Sequence, residues 1–590
     1  MKKLMLGNEA AARGLFEAGC SFVSSYPGTP STEITEQAAK YEEIYAEWAP
    51  NEKVAMESAF GACLTGQRTF CGMKHVGLNV AADPLFTISY TGVNGGMIIG
   101  VADDPGMHSS QNEQDSRHYA RASKIPMVEP ADSQEAIDYV KAAYEISEKY
   151  DTPVLLKMCT RVSHSQSVVD TKERVLPEPK AYEKNGDKYI MMPRQAKLRH
   201  PLVEKRTEDL KKLSETTFLN RIEAGREKKI ALITDSTSYQ YVKEILGDRF
   251  DILKLGLIWP VSDKLLNDFC RDRDKVIIVE ELDGFIEGMV KSLGISCVGK
   301  EFFSPIDELS QNKVRKGLTK ALEDDSLLPE IRTTGFDFEI PNRPPVMCAG
   351  CPHRGLFYIL SKLKLNVIGD IGCYTLGAIE PLNAIDTTIC MGASVSGIHG
   401  FNKASSFTDS RTEGRTVAVI GDSTFMHSGI TGLVNIAYND SNSTVIILDN
   451  SITGMTGHQE NPTTGKNLKG DPALKVDLEA LAKAVGIESV RVADPYDLKG
   501  TEQIIKEELA KPCPSVIISR RPCALLKYVK HRPPVIPDKD KCTKCRMCMK
   551  IGCPAIMVTE KGVSIDHTLC VGCGVCLELC RFGALKEQEA

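Results

Sequence analysis

The sequence lacks any run of about 18 apolar residues, so it predicts no membrane-spanning helix. It also lacks a strong excess of charge: 72 lysines and arginines face 78 aspartates and glutamates, for a formal net charge of −6. This balance argues against nucleic acid as the main partner. The opening MKKLMLGNEAAARG has basic residues but lacks the apolar segment of a secretion signal. We therefore expect a cytoplasmic protein that acts away from membranes.

The length of 590 residues suggests several domains. Residues 1–165 alternate helical patterns with short apolar strands, as α/β domains do. A charged, proline-containing stretch at 166–228 reads as a linker with some helix, and α/β patterning resumes at 229–335. A further α/β domain is predicted at 341–530, and a cysteine-rich tail at 538–590. The predicted fold class is thus α/β, with parallel sheets flanked by helices and a small α+β tail.

Cysteine is the residue that is abundant, and its spacing in the tail is informative. Of the chain's 20 cysteines, eight lie in two C-x2-C-x2-C runs, each followed by a fourth cysteine. In bacterial two-cluster ferredoxins each triplet binds one [4Fe–4S] cluster together with the remote cysteine of the other run. The spacing therefore predicts one cluster on Cys542, Cys545, Cys548 and Cys580, and a second on Cys570, Cys573, Cys576 and Cys553. Zinc is the alternative, but four-cysteine zinc sites rarely come as two interleaved triplets.

The tail departs from the usual ferredoxin pattern in two places. Four residues, rather than three, separate Cys548 from Cys553, and Arg581 stands where a proline often follows the fourth cysteine. Neither departure removes a ligand. Iron–sulfur clusters transfer single electrons, and free thiols suit a reducing compartment, so the tail indicates an electron-transfer role in the cytoplasm.

A second motif lies in the domain predicted at 341–530. Gly421-Asp422-Ser423 ends one apolar strand, and 26 residues separate it from Asn450 at the end of the next. Open α/β sheets bind ligands at the carboxyl ends of their strands, and carboxylate and amide oxygens suit Mg²⁺. The spacing resembles the thiamine diphosphate motif. That resemblance implies Mg²⁺ ligands at Asp422, Asn450 and the carbonyl of Ile452. The alternative is an ordinary strand turn with a chance asparagine.

Thiamine diphosphate enzymes also use a glutamate that contacts the aminopyrimidine ring and assists removal of the thiazolium C2 proton. In this family it begins a helix about nine residues before a glycine. Asn51-Glu52 followed by Gly61 matches that pattern, which implies this role for Glu52. Glu57 is a competing candidate on the same predicted helix. Both could instead be ordinary solvated helix acids, the usual position of glutamate.

Thiamine diphosphate binding together with a two-cluster tail resembles the 2-oxoacid:ferredoxin oxidoreductases over essentially the whole chain. Supporting strings are SYPGTPS at 25–31, MKHVGLN at 73–79 and DPGMHSSQ at 104–111. The resemblance implies that Thr29 lies near the 2-oxo acid and that His353 contacts the cofactor. It further implies that two loops cradle the cofactor through Gly372, Cys373, Tyr374, Met391 and Gly392, beside Gly421, Ser423 and the Mg²⁺ ligands.

Related enzymes carry a further [4Fe–4S] cluster near the cofactor, held by a C-x-G-C string and two later cysteines. The matching positions here are Cys348, Cys351, Cys373 and Cys523. The tail could also receive electrons directly from the cofactor. A third cluster is therefore left open at this stage, and free thiols are the alternative.

The resemblance implies a pyrimidine-binding domain at 1–165, a transketolase C-terminal-like domain at 229–335, a diphosphate-binding domain at 341–530 and a ferredoxin-like domain at 538–590. This order looks most like that of the large subunits that act on aryl 2-oxo acids. The resemblance implies oxidative decarboxylation of an aryl 2-oxo acid such as indolepyruvate, transfer of the acyl group to coenzyme A, and ferredoxin as electron acceptor. It also implies a separate small (beta) subunit, with two copies of each chain. Met455 replaces a polar asparagine of pyruvate-using relatives, and a thioether favours an aromatic substrate. Alternatives are another 2-oxo acid, a non-oxidative thiamine diphosphate decarboxylase, or an electron-transfer protein with an inactive thiamine fold.

Overall fold

The computed structural model describes residues 1–327, 341, 343–405, 407, 415–560 and 562–588. The chain forms two compact units, at residues 1–336 and 337–590. In the part of the chain so described, no helix is both long and apolar enough to cross a membrane.

The first unit is built from strands β1 to β13 and helices α1 to α14. The strands are Lys2–Leu6, Phe22–Ser25, Tyr45–Trp48, Thr69–Lys74, Met97–Asp103, Met127–Val128, Val154–Cys159, Gln166–Asp170, Arg221–Glu223, Glu227–Asp235, Phe250–Leu255, Leu257–Trp259 and Lys275–Val279. The helices are Gly7–Glu17, Thr32–Ala38, Glu52–Leu64, His75–Val80, Ala82–Thr91, Arg117–Ser123, Ser133–Tyr150, Thr160–His164, Gly186–Tyr189, Pro193–Ser214, Ser236–Leu246, Asp263–Cys270, Phe285–Ser292 and Gln311–Leu322. A 3-10 turn follows at Asp325–Leu327.

Among the described residues, seven strands of this unit form one sheet in the order β12-β6-β7-β5-β4-β2-β3. The pairs from β6 to β3 are parallel, and β12 is an antiparallel edge strand. Every residue of β4, β5 and β7 is buried. Apart from Thr69, Lys74, Asp103 and Lys157, these strands lack polar side chains, as is typical of parallel strands that are covered on both faces of the sheet.

A second sheet of the first unit has the order β13-β10-β11-β9, with β9 antiparallel to β11. Arg117 joins the two layers. Its guanidinium pairs with Asp115 at 2.6 Å, with Glu280 at 2.7 Å and with Asp235 at 3.1 Å, and all four side chains are buried. A buried cation with several carboxylate partners orients the elements that carry them.

The stretch predicted as a charged linker, 166–228, contributes one strand to a separate two-stranded sheet and one strand to the four-stranded sheet. Its first strand, β8, pairs antiparallel with β1, and its last, β9, extends the second sheet. Between them, α10 is a helix of 22 residues, the helix predicted within the charged stretch. Arg206 of α10 donates hydrogen bonds to the carbonyls of Ser89 and Asp151, which ties this helix to the first sheet's domain.

The second unit contains strands β14 to β22 and helices α15 to α21. The strands are Asn366–Ile368, Thr416–Gly421, Thr444–Asp449, Ser489–Ala493, Ser515–Arg520, Ile536–Pro537, Ile556–Thr559, Gly562–Ile565 and Leu585–Lys586. The helices are His353–Leu363, Ala393–Ser405, Asp422–Thr424, Ile430–Tyr438, Leu478–Ala484, Leu498–Leu509 and Val575–Leu579. Cys373–Ala378 and Met547–Ile551 are 3-10 turns, and Phe425–Gly429 is a π turn between α17 and α18.

Five described strands of the second unit form a parallel sheet in the order β14-β15-β16-β18-β17. The tail adds two small antiparallel ribbons, β19 with β22 and β20 with β21. The predicted fold class, parallel sheets flanked by helices with a ferredoxin-like α+β tail, is confirmed.

Candidate active site and cluster sites

Asp422 lies at the carboxyl end of β15, directly after Gly421. Its carboxylate is buried and accepts hydrogen bonds from the Ser423 backbone N–H at 2.8 Å and from the Thr463 hydroxyl at 3.0 Å. Burial, followed by the nearby Asp449 carboxylate, raises the pKa of Asp422 to about 7. A buried carboxylate with so little positive charge around it is suited to binding a cation.

The three predicted Mg²⁺ ligands converge. One end of the Asn450 side-chain amide lies 2.7 Å from the Ile452 carbonyl oxygen and 3.3 Å from the Asp422 Oδ1. An amide nitrogen at that position would donate to both acceptors. An amide oxygen there completes a group of three oxygens around one point, which is the donor set that a hard divalent cation prefers. The residues present therefore fit Mg²⁺.

The loops predicted to cradle the cofactor meet at the same edge of the sheet. The Asp370 carboxylate is fully buried and accepts hydrogen bonds from the backbone N–H groups of Gly392 and Ser394, each at 2.9 Å. It thereby fixes the loop that contains half-buried Met391 to the loop that contains Gly372. Sequence reasoning missed Asp370, although it lies within the string GDIGCY and follows a short apolar strand.

Tyr374 fills the space between these loops and β15. Its hydroxyl donates to the Ile371 carbonyl at 3.0 Å, and its ring is buried. A Cβ atom at Gly372 would lie 2.4 Å from this ring, and one at Gly421 would lie 2.7 Å from it. These two predicted glycines are thus positions where only glycine permits the close packing.

Two further buried polar residues belong to the site and were not found from the sequence. The Asn461 side-chain oxygen accepts from the Thr463 N–H at 2.8 Å, and its amide N–H group donates to Thr453 at 3.3 Å. The Thr453 hydroxyl in turn donates to the Ser423 hydroxyl at 2.9 Å. The signal was present as the polar string ENPTTG shortly after Asn450, but turn residues of this kind are common in loops.

His353 begins α15 and is buried beside the metal site. Its ring packs edge-on against Tyr374, with centroids 6.0 Å apart, and its Nε2 lies 3.4 Å from the Asn450 side-chain nitrogen. Burial lowers the pKa of His353 to about 4. The imidazole is therefore neutral near pH 7 and has one donor and one acceptor nitrogen.

The eight tail cysteines gather in the two predicted sets of four. Cys542, Cys545, Cys548 and Cys580 line one cavity, with Lys544, Arg546 and Phe582. Cys553, Cys570, Cys573 and Cys576 line the other, with Gly350, Cys351 and Arg354 of the preceding domain. We call these the outer and the inner cluster site. Four thiols around each apolar cavity fit a [4Fe–4S] cluster.

The four cysteines considered for a third cluster also lie together. Burial raises the pKa of Cys351 to about 12, and the Cys373 and Cys348 thiols contribute to that rise. Burial likewise raises the pKa of Cys373 to about 11, with contributions from Cys523 and Cys348. Each thiol is thus within electrostatic reach of at least two of the others, and Cys351 also borders the inner cluster site.

In the first unit, Glu52 begins α3 and is buried, with 4% of its surface exposed. The side chain of Asn51 caps this helix by accepting from the Val54 N–H at 2.9 Å. Asparagine is a favoured cap, and a helix N-terminus stabilises a carboxylate in its first turn. The competing candidate, Glu57, is exposed and pairs with Lys53.

Gly77 is the glycine that Glu52 requires. A Cβ atom on Gly77 would lie 2.5 Å from the Glu52 Oε1, whereas a Cβ atom on Gly61 would meet nothing within 4 Å. The motif glycine Gly61 is therefore an exposed helix residue, and the close approach to the carboxylate is made by α4.

Thr29 is half-buried in the loop between β2 and α2. The adjacent Gly28 packs on Lys74, since a Cβ atom at Gly28 would lie 2.9 Å from the Lys74 Cβ. Lys74 is the last residue of β4, and α4 begins at the next residue. The Thr29 loop contacts Lys74 and Glu52 contacts Gly77, so both lie beside this strand–helix junction. Lys74 is buried and its ammonium donates to the Ser109 carbonyl. Burial lowers the pKa of Lys74 to about 8, which makes it a functional candidate that the sequence did not single out.

Comparison with known proteins assigns these sites to a class. Residues 13–225 match the family "Pyruvate flavodoxin/ferredoxin oxidoreductase, thiamine diP-bdg". Residues 370–519 match "Thiamine pyrophosphate enzyme, C-terminal TPP binding domain", and 563–586 match "4Fe-4S binding domain". The chain is therefore a thiamine diphosphate- and iron–sulfur-containing oxidoreductase of the 2-oxoacid:ferredoxin class.

Full-length relatives narrow the class. The indolepyruvate oxidoreductase subunit IorA of Archaeoglobus fulgidus is 38% identical over 100% of this chain and 98% of its own. The IorA subunit of Pyrococcus horikoshii is 40% identical over 99% of this chain and 97% of its own length. The chain belongs to the family of indolepyruvate oxidoreductase IorA subunits. A solved 2-oxoglutarate:ferredoxin oxidoreductase from Magnetococcus marinus aligns with 54% of this chain and 65% of its own, at 16% identity and a TM-score of 0.44, which is too low to support a conclusion.

We predict that Gly77→Ala slows activation of the cofactor, and that Glu52→Gln has the same effect. The added methyl group has no space beside the Glu52 carboxylate, which must move. Loss of correctly placed acid–base assistance should slow exchange of the thiamine C2 proton by about 10²–10⁴-fold, measured by NMR of the bound cofactor.

Gly61→Ala, in the helix that Glu52 begins, is the matched control, because a Cβ atom at that position meets nothing within 4 Å. It should retain wild-type exchange and gain about 0.5–1 kcal/mol in helix stability. Wild-type exchange in Gly77→Ala, or a larger loss in Glu57→Gln than in Glu52→Gln, would contradict the role of Glu52.

Proposed function

We propose that this chain is the catalytic subunit of an enzyme that oxidatively decarboxylates aryl 2-oxo acids to acyl-coenzyme A and passes the electrons to ferredoxin. The observation that supports the proposal is the group of thiols that lies between the proposed Mg²⁺ ligands and the cysteines of the tail. A Cβ atom at Gly454 would lie 3.3 Å from the Cys373 Sγ, and the Cys523 N–H donates to the Asn450 carbonyl at 2.9 Å. Cys351 borders both this group and the inner cluster site.

The proposed cofactors divide the chemistry with the protein. Thiamine diphosphate supplies a thiazolium that accepts the electron pair released with CO₂, and [4Fe–4S] clusters accept electrons singly. Asp422, Asn450 and the Ile452 carbonyl are proposed to hold Mg²⁺ against the diphosphate. Glu52 is proposed to hold a proton between its carboxylate and the aminopyrimidine, and burial excludes water from that carboxylate.

We further propose three clusters, with Cys348, Cys351, Cys373 and Cys523 holding the one nearest the cofactor. The mutual electrostatic effects of these thiols support this ligand set. The inner and outer cluster sites would then complete an electron path from the cofactor to the surface. Zinc in these sites remains the alternative for the tail, and an iron determination separates the two.

The aryl substrate is proposed from the relatives named as indolepyruvate oxidoreductases and from Met455. Met455 lies at the tip of the Thr453–Gln459 turn and is 52% exposed, which leaves its thioether free to contact a ligand. Thr29 is proposed to lie near the 2-oxo acid. Because the relatives are named as subunits, a small (beta) subunit is the proposed partner, and coenzyme A the proposed acyl acceptor.

The test is anaerobic reduction of methyl viologen by the chain together with its small subunit. We expect indolepyruvate and phenylpyruvate to exceed pyruvate by roughly ten- to hundred-fold in kcat/KM, since burial of a large side chain contributes about 1.5–3 kcal/mol. Omitting coenzyme A should stop sustained turnover. Met455→Asn should reduce the preference for aryl acids.

Equal turnover of pyruvate and the aryl acids would refute the substrate and leave the reaction class standing. Free aldehyde without reduced viologen would favour the alternative, a non-oxidative decarboxylase. A higher rate with another 2-oxo acid would redirect the assignment to that acid.

Iron content tests the three clusters. Anaerobically reconstituted chain should contain about twelve iron atoms, four for each cluster, and Cys348→Ser should contain about eight. About eight iron atoms in the wild-type chain would refute the proposed cluster nearest the cofactor. Zinc in place of iron would refute the proposal that the chain transfers electrons.

A further inference from the structure

Cations surround the outer cluster site. Five exposed basic residues each lie within two positions of one of its cysteines: Lys541, Lys544, Arg546, Lys550 and Arg581. Lys544 and Arg546 line the cavity itself. Arg581 is close to the exposed Cys545, since its guanidinium is among the groups, after the Met547 backbone N–H, that lower the pKa of that thiol. We call these five residues the basic rim.

No carboxylate neutralises the basic rim within the described residues. The ion pairs of the tail are instead those of Arg532 with Glu587 and of Lys586 with Asp538. The Lys544 ammonium donates to a backbone carbonyl, that of Glu560, at 2.6 Å. Unpaired surface cations create a local positive potential that extends for about 10 Å at moderate salt.

The charge is specific to the outer site. Residues 539–560 contain four of the five rim residues, which are three lysines and Arg546, plus Lys539, against the acids Asp540 and Glu560. Residues 562–580, which hold three ligands of the inner site, contain Asp566 and Glu578 and neither lysine nor arginine. The positive surface therefore coincides with the cluster site that has an exposed cysteine.

An apolar contact lies inside the basic rim. Phe582 is 51% exposed and lines the outer cavity. A small apolar centre bordered by charges of one sign is typical of transient electron-transfer interfaces, which bind by electrostatic steering and release quickly.

We propose that the basic rim and Phe582 form the docking surface for an acidic one-electron carrier protein of the ferredoxin type. This rests on the proposed function. The four cysteines of the outer site would hold a cluster that supplies one electron to the carrier in each encounter, so that the loss of one electron there balances the gain of one electron by the carrier, with no atom or proton transferred. Opposite charge brings the carrier's cluster to the exposed edge of the outer site.

The test is charge reversal at two rim residues that do not line the cavity, Lys541→Glu with Lys550→Glu. Measured against a purified acidic ferredoxin at low salt, the KM should rise at least tenfold, while methyl viologen reduction keeps its wild-type kcat. The matched control reverses two exposed lysines outside the tail, Lys483→Glu with Lys499→Glu, and should leave the ferredoxin KM unchanged. Wild-type turnover with ferredoxin should also fall as salt is raised.

An unchanged ferredoxin KM in the rim variant, or an equal rise in the control, would overturn the docking surface. If the reversal prevents cluster assembly, Lys541→Gln with Lys550→Gln removes the charge alone and should still raise the KM. Absence of 2-oxo acid-dependent viologen reduction in the wild type would instead refute the proposed function.

A separate observation concerns Arg354, the second residue of α15. Its guanidinium is buried and donates to four backbone carbonyls: at 3.0 Å to Cys348, at 3.2 Å to Ile551, and also to Met347 and Gly552. Two of these carbonyls belong to the Cys348 loop and two to the tail. Arg354 therefore joins the tail to the preceding domain from inside the second unit.

Within the described residues, the hydrogen bonds of the Arg354 guanidinium go to carbonyl oxygens and to no carboxylate. A buried guanidinium without an anion is unfavourable. Burial lowers the pKa of Arg354, and the groups that oppose this are the thiols of Cys553, Cys351, Cys348 and Cys573. Its counter-charge is thus the cysteine ligands of the inner site and of the Cys348 loop.

The extra residue between Cys548 and Cys553 is part of this contact. Gly552 has a φ of +69°, in the left-handed region. A Cβ atom there would lie 2.9 Å from the Pro381 Cδ and 3.1 Å from an Arg354 guanidinium nitrogen. A glycine that permits the close approach supplies one of the carbonyls that Arg354 binds.

We infer that Arg354 is a positioning residue that holds the inner cluster site against the Cys348 loop and, through its buried positive charge, favours the reduced inner cluster. Each one-electron reduction adds a negative charge, and a nearby cation in a medium of low polarity stabilises it.

An EPR-monitored redox titration tests this role. Arg354→Met should shift the midpoint potential of the inner cluster to a more negative value, whereas Arg354→Lys, which keeps the charge but loses the fork of hydrogen bonds, should stay near wild type. Protease should also cleave the tail of Arg354→Met faster. Unchanged potential in Arg354→Met, or the same shift in Arg354→Lys, would overturn the electrostatic role. If Arg354→Met fails to retain iron, Arg354→Gln, which removes the charge but keeps hydrogen-bond donors, takes its place: a more negative potential supports the electrostatic role and an unchanged one overturns it.

Discussion

Parallel pairing of β14, β15 and β16 is the constraint on which the second unit depends. Parallel strands end at the same edge of a sheet, so the loops after them meet. Asp370, Asp422 and Asn450 follow these three strands in turn. The buried carboxylate of Asp370 joins its own loop to the Gly392 loop. The carboxylate of Asp422 faces the side-chain amide of Asn450, which also lies beside the Ile452 carbonyl. The candidate metal site is a consequence of that register.

The carboxyl edge of this sheet is also where the cysteine-containing segments of the second unit meet. Cys373 follows the Asp370 loop, Cys523 follows β18, and the Cys348–Cys351 loop precedes α15. All three segments therefore come to the carboxyl end of one sheet. Arg354 then attaches the tail at this end through backbone carbonyls, which orient it without depending on the identity of tail side chains. Electron transfer requires short distances between centres, and this arrangement supplies neighbouring thiol groups.

In the first unit, a buried carboxylate again depends on a tight local contact. Glu52 is held by the start of a capped helix and by the absence of a side chain at Gly77. Lys74 and the Thr29 loop surround the same turn between β4 and α4. Arg117, with its three buried carboxylate partners, fixes the two sheets of this unit to each other. Such groups are stable only when every partner is in position, which makes the arrangement rigid.

The sequence by itself determined the fold class, the cofactor class and the grouping of the tail cysteines. These are encoded locally, because strand periodicity, a strand-end Gly-Asp-Ser and fixed cysteine spacing each involve residues close together in the chain or at standard separations. It also favoured Glu52 over Glu57 on the motif, while burial of the first and exposure of the second came only from the structure. Asp370, Asn461, Thr463, Gly77 and Arg354 were decided by tertiary structure. Each has at least one partner on another element of the chain, such as Gly392 for Asp370, Asp422 for Thr463 and Ile551 for Arg354. Only packing brings a buried carboxylate to an N–H group of another loop, or a guanidinium to the carbonyls of the tail.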